Sequence, residues 1–233
     1  MPFCFLSVQA QKNIQYGNQQ WIQYYTRILL NDHWYIPADA GIRWRSGLEE
    51  LSQHIVRAGI GYQFNSGITV GAGITQSGFY SDGHLRSSEI RPYQEASFTQ
   101  AWNKISLINR LRLEERFFSY RDGRRSEFNF RLRYRLMLNM PLFTFHSPGR
   151  KLSLLLGDEL FLNAGKNIVY NTFDQNRIVT GIQYSTGNLD LALNYNHQFA
   201  ARNAPGKFMQ EYILWLTCNQ TINLRKKDPS KTN

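Results

Sequence analysis

From about residue 18 to the end, the chain repeats one unit: a run of about ten to fourteen residues in which apolar and polar side chains alternate, closed by a turn rich in Gly, Asn, Asp or Ser. Period-two alternation puts every second side chain on the same face of an extended strand. The pattern predicts strands at about 19–30, 33–46, 53–65, 67–77, 89–103, 105–119, 126–140, 151–163, 176–186, 188–200 and 208–221. The stretch 126–140 is the clearest, with Phe128, Phe130, Leu132, Tyr134, Leu136 and Leu138 on one face and Asn129, Arg131, Arg133 and Arg135 on the other. Leu107, Leu111, Leu113 and Phe117 oppose Arg110, Arg112, Glu114 and Arg116 in the same way. Trp34, Ile36, Ala40, Ile42 and Trp44 oppose Asp39, Arg43 and Arg45, and Leu189, Leu191, Leu193 and Tyr195 oppose Asp190, Asn194 and Asn196. Most of these strands exceed the five or six residues usual in soluble sheets and match tilted membrane strands.

Periodicity alone does not say which face points inward, so a soluble, ligand-holding barrel is an alternative to a membrane barrel. Three features favour the membrane. Soluble barrels of this kind have eight strands, fewer than the number of runs seen here. The aromatic residues Trp34, Trp44, Trp102, Phe117, Tyr195 and Phe199 form a candidate interfacial girdle on the apolar faces. The polar faces carry both signs of charge, as a lumen of paired Arg and Glu would. Leu132, Tyr134, Leu136 and Leu191 are therefore expected to face lipid.

Connection lengths alternate as well. Tight turns are expected near Asn31-Asp32, Asn65-Ser66-Gly67, Asn103-Lys104 and Thr186-Gly187-Asn188, and longer loops at 46–52, 77–88, 119–125, 164–175 and 200–207. The stretch 141–150, with Pro141, Pro148 and Gly149, is expected to be irregular. Short turns belong on the periplasmic side of such a barrel and long loops outside. Eleven runs conflict with the even strand numbers of bacterial barrels. The expectation is therefore an all-β, antiparallel, up-and-down transmembrane barrel of about 12 strands, the extra one at residues 9–17, with ten as the alternative.

Composition narrows the partners. Mean hydropathy is negative, and the longest apolar candidates, such as Leu152 to Gly157, are broken within a few residues, here by Asp158 and Glu159. Helical spans, which need about 20 apolar residues, are thereby excluded, and a barrel is the other structure able to cross a bilayer. A net charge of +10 raises nucleic acid as a partner, but the arginines are spread along strands without a zinc spacing or recognition helix. No nucleic-acid partner is expected. The two cysteines, Cys4 and Cys218, are too few for a disulfide framework. Residues 1–10 read as the remnant of a secretory signal, with Val8 and Ala10 preceding a cleavage site before Gln11. Residues 11–224 read as the barrel and 225–233 as a basic tail. A barrel of this kind implies outer-membrane lipids and, during biogenesis, the barrel-assembly machinery as partners. The identity of any small-molecule ligand stays open.

The strongest chemical constellation is the charged face of the central strands: Glu89, Arg91 and Glu95, then Arg110, Arg112, Glu114 and Arg116, then Arg131, Arg133 and Arg135, then Glu159, with Arg177 beyond. On adjacent strands such residues lie about 5 Å apart, close enough for a ladder of ion pairs. The ladder reads either as the rigid filling of a narrow lumen or as an anion-selective lining.

The segments Glu89 to Gln94, Asn109 to Phe117, Arg131 to Leu136, Glu159 to Asn163 and Asp174 to Gly181, in that order and spacing, resemble the successive blocks of a bacterial family called domain of unknown function 2490. The resemblance covers roughly residues 20–220. It implies an outer-membrane barrel and brings no activity with it.

An outer-membrane lipid hydrolase is the enzymatic alternative, and it needs a Ser beside a His that a third group orients. His33, His84 and His146 fall in turns or loops, His54 begins a strand, and His197 shares the parity of Tyr195 and Phe199. None has a partner at a spacing visible in one strand. There is no metal-ligand cluster, phosphate-cradling loop or nucleophile elbow in the sequence, so neither cofactor nor catalytic residue is expected. Gly59, Gly61, Gly71 and Gly73 recur on the polar face, where they relieve crowding.

Overall fold

A computed structural model describes residues 12–146 and 149–225. The proposed signal remnant and the tail beyond Arg225 lie outside the described residues. Eleven strands form one closed sheet: β1 (Asn13–Leu29), β2 (Trp34–Arg45), β3 (Glu50–Gln63), β4 (Ile68–Ser81), β5 (His84–Trp102), β6 (Ile105–Tyr120), β7 (Glu127–Thr144), β8 (Arg150–Ala164), β9 (Phe173–Thr186), β10 (Leu189–Ala201) and β11 (Lys207–Asn223). Each pairs antiparallel with its neighbour in sequence, and β1 meets β11 in parallel, from Asn13 opposite Lys207 to Leu29 opposite Asn223.

That seam corrects the expected strand count. Antiparallel pairing all the way round requires an even number, whereas one parallel pair lets eleven strands close. Residues 13–17 are the start of β1 and not part of a twelfth strand. The described ends of the barrel consequently lie on opposite rims.

One rim carries the connections at 30–33, 64–67, 103–104 and 187–188 together with the end of β7 and the start of β8, and the other those at 46–49, 82–83, 121–126, 165–172 and 202–206. The expected long loop at 77–88 is instead two strands joined at Asp82-Gly83. Both turn residues have positive φ, 53° and 72°. This is the backbone that two-residue hairpins require and that Asp-Gly supplies. The irregular stretch expected at 141–150 is shorter too. β7 runs through Pro141 to Thr144, and the register shifts between Pro141 and Phe143, a bulge that accommodates the missing N–H.

Alternation sorts the faces. Leu132, Tyr134 and Leu191 point outward and are 40%, 46% and 44% exposed, and Leu136 is half-buried on the same face. The large buried side chains lie inside and are mostly polar, with Trp21, Tyr93, Phe161 and Ile213 among them. Apolar outside and charged inside is the inverse of a soluble barrel. Two of the inward glycines have a specific task. A Cβ on Gly61 would run into the Tyr35 ring, and one on Gly73 would run into Tyr93. Each tyrosine takes the space that a side chain at the glycine would fill.

Candidate functional site

The lumen is the candidate site. β5 to β9 bring the predicted charged residues together because antiparallel register sets their inward positions side by side: Glu95 faces Arg112, Arg112 faces Arg133, Glu114 faces Arg131, Arg135 faces Glu159, and Glu159 faces Arg177. Glu114, fully buried, is the hub. Arg131 Nε donates to it at 2.8 Å and Arg133 Nη1 at 2.7 Å, with Arg91 at 3.4 Å and Arg112 at 3.9 Å. Glu89, also fully buried, takes Arg91 at 2.7 Å and Arg116 at 2.6 Å. Glu159 takes Arg110 and Arg133, both at 2.7 Å, and has Arg177 at 3.7 Å. Glu95 takes Arg112 at 2.6 Å.

Sequence reasoning missed several members of this layer. Asp174 binds Arg131 at 3.2 Å, reaching inward next to the register shift between Phe161 and Leu162. Asp39 and Arg57 pair at 2.8 Å on the opposite wall. Phe161 lies under Arg133 at 4.6 Å, and Trp21 under Arg43 at 3.9 Å and Arg177 at 4.9 Å. Stacking of this kind suits the weakly hydrated guanidinium. The remaining signal was the inward parity of Trp21 and Phe161 between polar neighbours.

The belt leaves charge over. Eight guanidiniums (Arg91, Arg110, Arg112, Arg116, Arg131, Arg133, Arg135 and Arg177) meet five carboxylates (Glu89, Glu95, Glu114, Glu159 and Asp174). Seven of the eight have an ion pair; Arg135 has neither an ion pair nor a side-chain hydrogen bond among the described residues. A cavity of about 570 Å³ is lined by all eight of these arginines and extends toward the loop rim at Arg45, Ser52 and Arg202; a second, of about 480 Å³, lies toward the turn rim, and both touch Arg135, Glu159 and Trp215.

The six predicted girdle aromatics all lie on the outer face. Trp34 and Trp102 sit at the turn rim, and Trp44, Phe117 and Phe199 toward the loop rim. Tyr195 is at the middle of β10, stacked on Tyr212 with ring centres 6.4 Å apart, and so does not lie near a strand end.

The outer face also corrects the reading of His54. Its Nε2 lies 3.0 Å from Gln76 Oε1 and its Nδ1 3.0 Å from the Tyr80 hydroxyl. With a carbonyl oxygen as the first partner, Nε2 carries the proton and the tyrosine donates to Nδ1. Both partners come from β4, and the ring lies over Gly78, where a Cβ would collide with it. Spacing within one strand cannot reveal a partner on the next. No hydrogen bond links a His to a Ser among the described residues.

A family model described as "Protein of unknown function (DUF2490)" matches residues 18–209. No curated protein is significantly similar in sequence. Among solved structures, the beta domain of the Bordetella autotransporter BrkA is similar, with a TM-score of 0.43 and 13% identity over 73% of this chain and 77% of that one.

Proposed function

The chain belongs to the DUF2490 family of proteins of unknown function, and from that premise we propose that it is an integral barrel of the bacterial outer membrane, non-enzymatic, whose charged belt closes the lumen around one cavity and leaves a binding chamber toward the turn rim. One observation carries this reading: the outer face is predominantly apolar, rich in exposed Leu, Ile, Val and Phe, while the inner face buries interlocked Arg and Glu. Water cannot satisfy outward leucines, and lipid cannot satisfy inward arginines. A belt in which every carboxylate holds an arginine is a filling more than a pathway, because an ion crossing it must break short charge-assisted bonds. Outer-membrane lipids surround the barrel on this reading, and the barrel-assembly machinery inserts it. The tests are direct. In a variant without native cysteines, new cysteines at 132 and 191 are expected to resist a water-soluble maleimide in intact membranes, while cysteines at 83 and 123 react. Purified protein in a planar bilayer is expected to show no steady ohmic conductance. Rapid labelling at 132 and 191 would overturn the membrane orientation, and steady conductance would overturn the closed lumen.

The contacts of His54 favour a second reading, a lipid hydrolase, because a hydroxyl, a base and an orienting group stand in line on the outer face. The hydroxyl is a phenol and not a serine. Phospholipid hydrolysis that is lost in both His54→Ala and Tyr80→Phe would establish the hydrolase and displace the non-enzymatic reading.

A further inference from the structure

The turn-rim chamber holds buried donors that have no acceptor. Arg135 Nε, Arg27 Nε and Trp215 Nε1 are all buried and lack a hydrogen-bond partner among the described residues, and all three residues line this one cavity of about 480 Å³. Two of the donors are cationic. Arg27 spends its Nη2 on Gln63 at 2.6 Å and stacks on Tyr35 at 3.9 Å, which fixes its plane. Arg135 makes no ion pair within 4 Å and no side-chain hydrogen bond among the described residues: Glu159, its register neighbour, already takes Arg110 and Arg133 and has Arg177 beside it. A whole guanidinium fork is therefore available to an incoming anion, in the bidentate geometry that carboxylates and phosphates accept. A buried donor left without an acceptor costs free energy, so the site gains by acquiring one.

The rest of the wall narrows the ligand. Ile108, Met137, Leu155, Val179 and Ala192 give the chamber an apolar side. These are the inward positions where the turn-rim halves of β6 to β10 switch from charge to hydrocarbon. The other carboxylate lining it, Asp190, sits at the first turn of β10 opposite Ser185 and Asn219, away from the belt. The volume is in the range of small-molecule pockets.

From this juxtaposition we infer that the turn-rim chamber binds an amphiphilic carboxylate, its head in the Arg135 fork beside Arg27 and the Trp215 indole N–H and its hydrocarbon against Leu155, Val179 and Met137. The inference rests on the closed-lumen reading, since the belt is the floor of the chamber.

The probe is radiolabelled decanoate, equilibrated by dialysis with the full-length folded barrel in amphipol, where no micelle competes for it. Wild-type protein is expected to bind it saturably. Decanol and decyltrimethylammonium are expected to compete about ten- to a hundredfold less well than unlabelled decanoate, the worth of a hydrogen bond to a charged group. Arg135→Gln is expected to weaken binding by a similar factor. Because Arg135 has no ion partner to strand, that variant is expected to keep its heat-modifiable gel migration. Arg43→Gln, which alters a carboxylate-free arginine in the loop-rim half of the lumen, is expected to bind normally. A second variant, Val179→Trp, fills the apolar side and is expected to abolish binding. Absence of saturable binding to the folded wild type overturns the inference, as does equal competition by the alcohol or the cation, or unchanged affinity in Arg135→Gln. Any of these in a barrel that is membrane-inserted and non-conducting leaves the closed-lumen reading intact, whereas steady conductance removes the floor itself.

Discussion

Replacing Glu114 by Ala removes the most heavily shared carboxylate in the lumen. It is fully buried, and Arg131 and Arg133 donate to it at 2.8 and 2.7 Å with two more arginines within 4 Å. Breaking one partner out of a buried pair costs about 3–5 kcal/mol, because the remaining charge is left uncompensated in a poorly solvated place. Here each arginine keeps a second carboxylate: Arg131 keeps Asp174, Arg133 keeps Glu159, Arg91 keeps Glu89 and Arg112 keeps Glu95. The redundancy points to the lower end, about 3 kcal/mol. For a domain of this length that corresponds to a midpoint lowered by roughly 6–12 °C. The assay is the temperature at which the barrel loses its heat-modifiable gel migration, read at one heating rate for all variants because barrel unfolding is irreversible. Glu49→Ala, in the exposed connection between β2 and β3, serves as the control and is expected to melt with the wild type. Equal melting of the two variants would falsify the buried belt: the lumen would then be wet and wide, and an anion-conducting channel would become the better account of its arginines.

Closure by a parallel seam is checked by cross-linking. Cysteines at Ile22 and Leu216, directly opposite in register, are expected to form a disulfide on mild oxidation, and the pair Ile22 and Tyr212 is not. A twelfth strand between β1 and β11 would prevent the first. Gly61→Ala is expected to lower the melting midpoint by an overpacking cost of about 1–3 kcal/mol, and Tyr35→Leu in the same chain to restore most of it; no rescue would mean that the ring is not what the glycine accommodates.

The period-two pattern by itself determined that the chain forms long strands, which residues share a face, and that one face is oily and the other charged, because alternation is a local property of an extended backbone. Leu132 and Arg133 take opposite faces whatever strands lie beside them. The candidate site was legible to the same depth: Glu89, Arg112, Glu114, Arg133 and Glu159 announce themselves as inward charges on consecutive strands. Everything that depends on register was left to the tertiary structure. Parity arguments gave twelve strands, but closure is a global condition, and one parallel pair between the two most distant strands satisfies it with eleven. Asp82-Gly83 looked like part of a loop until two strands converged on it, and Pro141 looked like an end until a bulge carried β7 past it. His54 gained its partners from the adjacent strand. The sequence counts more arginines than carboxylates, but only the side-chain packing inside the closed barrel decides which cation of the belt is left over. Within the belt it is Arg135, because Glu159, though opposite it in register, is taken by Arg110 and Arg133 with Arg177 beside them.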